Sequence, residues 1–241
     1  MNSGMVLGFF RFMRNTDCKM HLVIGLLMVI AASSSAVAQE GGWAVVGRAG
    51  TLGIGAEVHR LLVPEVLTFR AGAQFFRYST GFAESDISYS ARLKLGTVPI
   101  GLDVYPFKNW FRLSGGLIIN FNEVTGVAKP VVGQITINGI RYTVTQIGEL
   151  DASIKFNRAA PFFGLGFGRT FKEGKHWGVT FDLGAMYHGQ AGLTLTTTLP
   201  PSSQLQSDMR KQEQNFKNDA KDYTLYPIIQ FGLSYRFGKT R

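Results

Sequence analysis

Read for hydrophobicity alone, the chain repeats one pattern, apolar and polar residues alternating with period two. Near the C-terminus, PIIQFGLSYRF sets Ile229, Phe231, Leu233, Tyr235 and Phe237 against Gln230, Gly232, Ser234 and Arg236. WFRLSGGLIINFNE opposes Phe111, Leu113, Leu117, Ile119 and Phe121 to Arg112, Ser114, Gly116, Asn120 and Asn122. HWGVTFDLGAMYHG opposes Trp177, Val179, Phe181, Leu183, Ala185 and Tyr187 to Gly178, Thr180, Asp182, Gly184 and His188. APFFGLGFGRT, VLTFRAGAQFFRYST and TLGIGAEVHR behave alike; the last sets Leu52, Ile54, Ala56 and Val58 against Gly53, Gly55, Glu57 and His59. Sustained alternation predicts strands with one apolar face.

The character of the two faces decides between architectures. A soluble sandwich turns its polar faces to water, and those faces would be rich in Lys, Glu and Thr. Here the polar face is glycine, serine and asparagine with scattered arginine and aspartate, which suits a confined interior. The apolar face carries aromatic residues at its ends, as the interfacial girdles of a membrane barrel require. Backbone groups in lipid must bond within the protein, so only a helix or a closed barrel serves. The fold class expected is all-β: a transmembrane antiparallel up-and-down β-barrel of about eight strands with long extracellular loops.

Seven segments are clear, at about 51–61, 66–80, 86–106, 110–124, 148–171, 176–197 and 223–237. Termini on one side require an even number, and Trp43 to Arg48 supplies the eighth strand. Its phase is odd whereas Leu52 and Ile54 are even, so a tight turn or bulge is expected at Ala49-Gly50-Thr51. A rival break at Asn157-Arg158 would invert the topology. A second phase slip falls in LKLGTVPIGLDV, where Arg92 and Lys94 share a parity that Asp103 does not; Pro99 near Gly96 suggests a bulge. Short connections (LVPE, PFKN, KEGKH) alternate with long ones (79–86, 124–149, 189–222). In the long ones, ITINGIRYTV reads as a hairpin turning at Asn138-Gly139. Ser203 with Gln206 resembles a capping box at the start of a short polar helix outside the membrane, the other reading being a disordered loop.

Composition and charge then narrow the class. The 241 residues are 45% hydrophobic and only 17% charged, below the roughly 25% of soluble domains, and include 29 glycines. Residues 1–38 read as a signal peptide: Arg11, Arg14 and Lys19 precede the apolar run Leu22 to Ala32, and Ala36-Val37-Ala38 is a cleavage site. The barrel domain is 39–241. Cys18 lies ahead of the apolar run, so no disulfide is expected in the exported chain. The formal charge of +9 suits anionic lipid or acidic polymers; export argues against nucleic acid.

The candidate lumen-lining residues are Glu57, Arg70, Gln74, Arg92, Lys94, Asp103, Arg112, Asn120, Asp182, Gln230 and Arg236, with Arg48 on the same side. Charges inside a barrel must pair or meet water. They form either a network that stiffens the lumen or a polar passage. Eight strands leave room just for side chains to fill, and inward glycines such as Gly55, Gly72, Gly116, Gly166 and Gly232 thin that filling enough to permit a narrow cavity. GLGFG at 164–168 lies on an alternating segment and is glycine against a crowded interior rather than a nucleotide loop. His59, His176 and His188 have no metal spacing, and His188 with Asp182 is a weak basis for a hydrolase. No enzyme, metal or cofactor is expected.

The runs INGIRYTVTQIGELDASIKFNRAAPFFGLGFG and HWGVTFDLGAMYHGQAGLTL and the terminal YPIIQFGLSYRF resemble the CarO-like outer-membrane proteins of Gram-negative bacteria. The resemblance covers most of the exported chain through loose strand chemistry rather than a sharp motif, and it implies an eight-stranded barrel. No family site carries over residue by residue, and the basic interior fits cationic solutes poorly. The alternating last strand ending in Tyr235 and Phe237 resembles the signal read by the barrel-assembly machinery, although GKTR follows it. The expected protein is a monomer in the cell outer membrane. It would be a narrow channel for small polar or zwitterionic solutes or, alternatively, a non-conducting structural barrel acting through its extracellular loops.

Overall fold

A computed structural model of the protein describes residues 42–84, 87–130, 134–171 and 174–238. The predicted signal peptide and Cys18 lie outside the described residues. In chain order the strands are β1 (Trp43–Gly50), β2 (Gly53–Val63), β3 (Leu67–Glu84), β4 (Ile87–Val104), β5 (Phe111–Asn120), β6 (Glu123–Pro130), β7 (Gln134–Ile137) and β8 (Ile140–Thr143). A one-turn helix α1 (Val144–Ile147) leads to β9 (Leu150–Lys155), β10 (Ala159–Phe167), β11 (Trp177–Tyr187) and β12 (Gly192–Thr197). Helix α2 (Ser203–Asp219) and β13 (Leu225–Arg236) follow.

Eight antiparallel strands close a barrel in the order β1-β2-β3-β4-β5-β10-β11-β13, and β13 returns to β1 from Ala44↔Arg236 to Gly50↔Gln230. Closure leaves no open edge within the barrel itself. Strands β1 and β2 join through the two-residue turn Thr51-Leu52 between paired Gly50 and Gly53, where Gly53 adopts φ 110°. The parity change expected there is therefore a tight turn. Leu52, expected on the outer face, is 3% exposed because the turn folds it into the lumen.

The outer face is apolar. Along β11, Trp177, Val179, Leu183 and Tyr187 are exposed. Eleven residues at about 3.3 Å each and a tilt of about 40° span about 25 Å, the height of the apolar band on such barrels. At the short-turn end, Phe107, Trp110, Trp177, Tyr235 and Phe237 are exposed aromatics. Tyr235 packs edge-on against Trp177 (5.0 Å) and Phe237 (5.3 Å).

One side of the wall does not stop with the barrel. Strand β4 pairs with β5 and then β6 in one register (Thr97↔Asn120, Lys94↔Glu123). Strands β10 and β9 likewise continue each other against β5 and β6 (Ala159↔Ile119, Lys155↔Glu123). Strand β12 completes the extension by pairing with β9. The segments 110–124, 148–171 and 176–197 therefore each run through one barrel strand and at least part of one extension strand. The break at Asn157-Arg158 exists, but it marks passage from extension to barrel and does not invert the topology. At these junctions Asn122 Oδ1 accepts from the Gly96 amide (2.9 Å), and Asn120 donates to the Asn157 carbonyl (3.3 Å). Side chains thus satisfy groups that the ladder leaves over.

The extension reverses the polarity of the wall. Strand β4 runs from Ile87 to Val104 in a single register with β3, without the bulge expected near Pro99. Arg92 and Lys94 consequently share the outward parity of Ile100 and Leu102, not the inward parity of Asp103. The reason is solvent. Beyond the apolar belt the outward side meets water and turns polar, while the side continuing the lumen becomes apolar through Leu93, Leu95, Val124, Leu150, Ile154, Leu193 and Leu195.

Part of that apolar side is capped. The β7–β8 hairpin turns at Asn138 (φ 51°) and Gly139 (φ 78°) as expected. Ile137, Tyr142, Ile147, Leu205 and Met209 form a small core against Leu150 and Leu195. The polar helix is 17 residues long, and its N-cap is Ser202 rather than Ser203, with Ser202 Oγ accepting from the Leu205 amide at 3.2 Å. Glu213 of α2 accepts the Leu195 amide of β12 (2.7 Å), occupying a donor on an edge strand.

Candidate functional site

The lumen is the site that the strand pattern builds. Period-two strands deliver Arg48 of β1, Glu57 of β2, Arg70 of β3, Asp103 of β4, Arg112 of β5 and Asp182 of β11 to one level, and all are at most 6% exposed. Arg48 pairs with Glu57 (3.0 Å) and with Asp182, and reaches Thr180 Oγ1 at 3.3 Å. Arg112 pairs with Asp182 (2.7 Å) and Asp103 (3.4 Å) and donates to the Gly168 carbonyl (2.9 Å). Arg70 lies 3.5 Å from both Asp103 and Asp182. Ser114 donates to Asp103 at 2.6 Å. Three guanidinium groups thus meet three carboxylates, with no net charge.

The contacts differ in kind. Arg70 Nε and Arg112 Nε sit at ion-pair distance from Asp103 without an aligned hydrogen bond, so these two are coulombic contacts. The Arg112–Asp182 and Arg48–Glu57 contacts are hydrogen-bonded ion pairs, the stronger kind.

Two glutamines and a histidine complete the level. Gln74 donates to Glu57 (3.2 Å) and bonds with Gln230. His59 is fully buried, with Nε2 3.0 Å from Glu57 and Nδ1 3.5 Å from Thr170. Toward the long-loop end the lumen is apolar: Leu52, Ile118, Ala160, Phe162, Met186 and Ile228 form one buried cluster. Arg70 joins the two layers, its guanidinium 5.1 Å from the Phe162 ring centroid.

The inward glycines make room for this filling rather than for a cavity. A Cβ on Gly166 would stand 2.4 Å from Arg112 Nε, and one on Gly232 2.4 Å from Thr180 Oγ1. One on Gly101 would meet the Phe162 ring at 2.8 Å.

The predicted lining residues divide as follows. Glu57, Arg70, Gln74, Asp103, Arg112, Asp182 and Gln230 meet in the network. Asn120 is buried at the long-loop junction. Arg236 is half-buried at the short-turn mouth, where it lines a pocket with Thr68, Tyr105, Arg169 and Phe171. Arg92 and Lys94 do not line the lumen; they lie on the outer side of the extension. His188 packs edge-on to Phe156 (4.5 Å) and Tyr226 (6.2 Å), while Asp182 serves the arginines. Among the described residues no group of acidic, histidine or cysteine side chains is arranged to hold a metal.

No family model matches the chain, and no curated protein matches it in sequence. Among solved structures, the crystal structure of Acinetobacter baumannii CarO2 is similar, at 20% identity and TM-score 0.53, covering 81% of this chain and 98% of that one. Acinetobacter baumannii CarO follows at 18% identity and TM-score 0.51, covering 80% and 96%. A major outer membrane protein from Thermus thermophilus aligns at 13% identity and TM-score 0.42, covering 83% and 100%. The chain has the eight-stranded fold of the CarO outer-membrane barrels.

Proposed function

We propose that this outer-membrane-type barrel is a non-conducting protein whose working parts are the sheet extension and its helical cap, presented outside the cell. The observation that carries this reading is the two-layer filling of the lumen. An arginine–carboxylate network with no net charge lies beneath an apolar layer of Ile118, Phe162, Met186 and Ile228. The alternative, a narrow channel for small polar or zwitterionic solutes, needs a water path past Arg70 and Arg112. Both side chains are buried in ion pairs, and the apolar layer stands across the path.

The chain is read as a monomer that is not an enzyme. It would be assembled through its last strand, with Tyr235 and Phe237 as the aromatic end that the assembly machinery recognises. The short-turn end faces the periplasm in this reading.

Planar-bilayer recording of the refolded protein, with heat-modifiable gel mobility as folding control, tests it. Folded protein is expected to give no discrete current steps. Steps whose ion selectivity changes in Arg112→Glu would overturn the reading and restore the channel.

A further inference from the structure

The outward side of the extension carries a band of cations next to the lipid-facing belt. Cross-strand partners Arg77, Lys94, Glu123 and Lys155 form one row across β3, β4, β6 and β9. At about 4.8 Å per strand the row is roughly 14 Å long. The next row holds Ser79, Arg92, Thr125 and Ser153. Immediately below lie Phe75, paired with Gly96, and Phe121, whose amide bonds the Gly96 carbonyl. Both rings are exposed, at 59% and 41%, and the Arg158 guanidinium lies 5.2 Å from the centre of the Phe121 ring.

Successive residues on one side of a strand are about 6.6 Å apart, so with tilt the first charged row stands roughly 5 Å beyond the last lipid-facing rings. That is the depth of headgroups, reached by long basic side chains whose stems cover apolar surface. The band holds Arg77, Arg92, Lys94, Lys155 and Arg158 against one carboxylate, Glu123, which Lys155 approaches at 3.2 Å. The excess of positive charge is confined to the two rows beside the belt: on the same side, Asp151 stands in the row beyond Thr125 and Ser153. Basic clusters at a bilayer surface attract anionic headgroups.

We propose that this band binds the phosphate groups of an anionic lipid in the leaflet on the long-loop side, with the lipid's chains lying on the Phe75–Phe121 belt. The site is independent of whether the lumen conducts. Its chemistry suits a phosphorylated glycolipid, with two phosphates spread along the row.

The test compares the wild-type protein with Arg77→Ser/Arg92→Ser/Lys94→Ser in neutral detergent micelles. Each is titrated with a bisphosphorylated glycolipid and with its dephosphorylated form, and bound lipid is read by native mass spectrometry. Each cation near an anionic surface contributes about fivefold, so the triple variant should bind the bisphosphorylated lipid roughly a hundredfold more weakly. Dephosphorylated lipid should bind wild type no better than it binds the variant, and millimolar inorganic phosphate should not displace the intact lipid. Equal binding by the two proteins, or equal binding of the two lipids by wild type, would overturn the proposal. Displacement by inorganic phosphate would overturn the lipid and leave a free-anion site only. Heat-modifiable mobility checks folding of the variant. If it fails to fold, wild type in rising salt decides, because affinity unchanged between about 0.05 and 0.5 M salt is incompatible with exposed charge pairing.

Discussion

Replacing Asp182 by asparagine keeps the volume of the side chain and removes one of the three lumen carboxylates. Asp182 serves Arg48, Arg70 and Arg112 together, and Arg48 and Arg112 side chains have no exposure. The variant lumen would hold three guanidinium groups against Glu57 and Asp103, one uncompensated positive charge in a dry interior. Breaking a buried ion pair from one side costs about 3–5 kcal/mol, whereas exchanging a whole pair for uncharged groups of similar volume is often near neutral. Asp182→Asn is therefore expected to lose about 3–5 kcal/mol. Asp182→Asn/Arg112→Met is expected to recover most of that loss, because Arg48–Glu57 and Arg70–Asp103 remain as two balanced pairs. The double-mutant cycle isolates the interaction. Urea unfolding in detergent, followed by tryptophan fluorescence and gel mobility, measures it. A single-variant loss under about 1 kcal/mol, or a double variant no better than the single, would mean that water reaches these charges and the sealed-lumen argument fails.

The cap gives two further predictions. Leu205, fully buried in the small core, should cost about 2–5 kcal/mol when replaced by alanine. That loss should appear as faster proteolysis within 134–147 and 203–219, with the barrel's heat-modifiable mobility unchanged. The cap should also loosen at both pH extremes. Hydrogen bonds from Tyr142, Gln204 and Asn138 and the charge of Lys211 hold the Asp208 carboxyl below its ordinary range against the opposing effect of burial. Its contribution is thus present above about pH 4 and lost as pH falls through its lowered folded value. The same bond to Asp208, then burial, pushes the Tyr142 hydroxyl up to about 12. That part is full below about pH 10 and lost as pH rises through about 12. Asp208→Asn should abolish the acid limb in a cap-proteolysis profile.

The period-two pattern by itself determined the barrel, its closure from β1 to β13 and the inward side of each barrel strand. Side-chain alternation on a closed sheet leaves only two environments, and Arg112 or Asp182 amid alternating apolar neighbours has only one place to go. The Asn138-Gly139 turn was legible for an equally local reason, two adjacent positive φ angles. What tertiary structure decided was where each environment ends. Arg92 and Lys94 obey the same alternation as Ile100, and nothing in their sequence marks the height at which lipid gives way to water along β4. That height is set by the neighbouring strands, which continue past the belt as β6, β9 and β12 and carry the wall into solvent. Whether inward glycines enclose space or make room for side chains was likewise beyond the linear pattern. It depends on which long side chain of a nearby strand, Arg112 beside Gly166 or Phe162 over Gly101, comes to rest there. Those contacts join residues far apart in the chain, and only the pairing of β4, β5 and β10 brings them together.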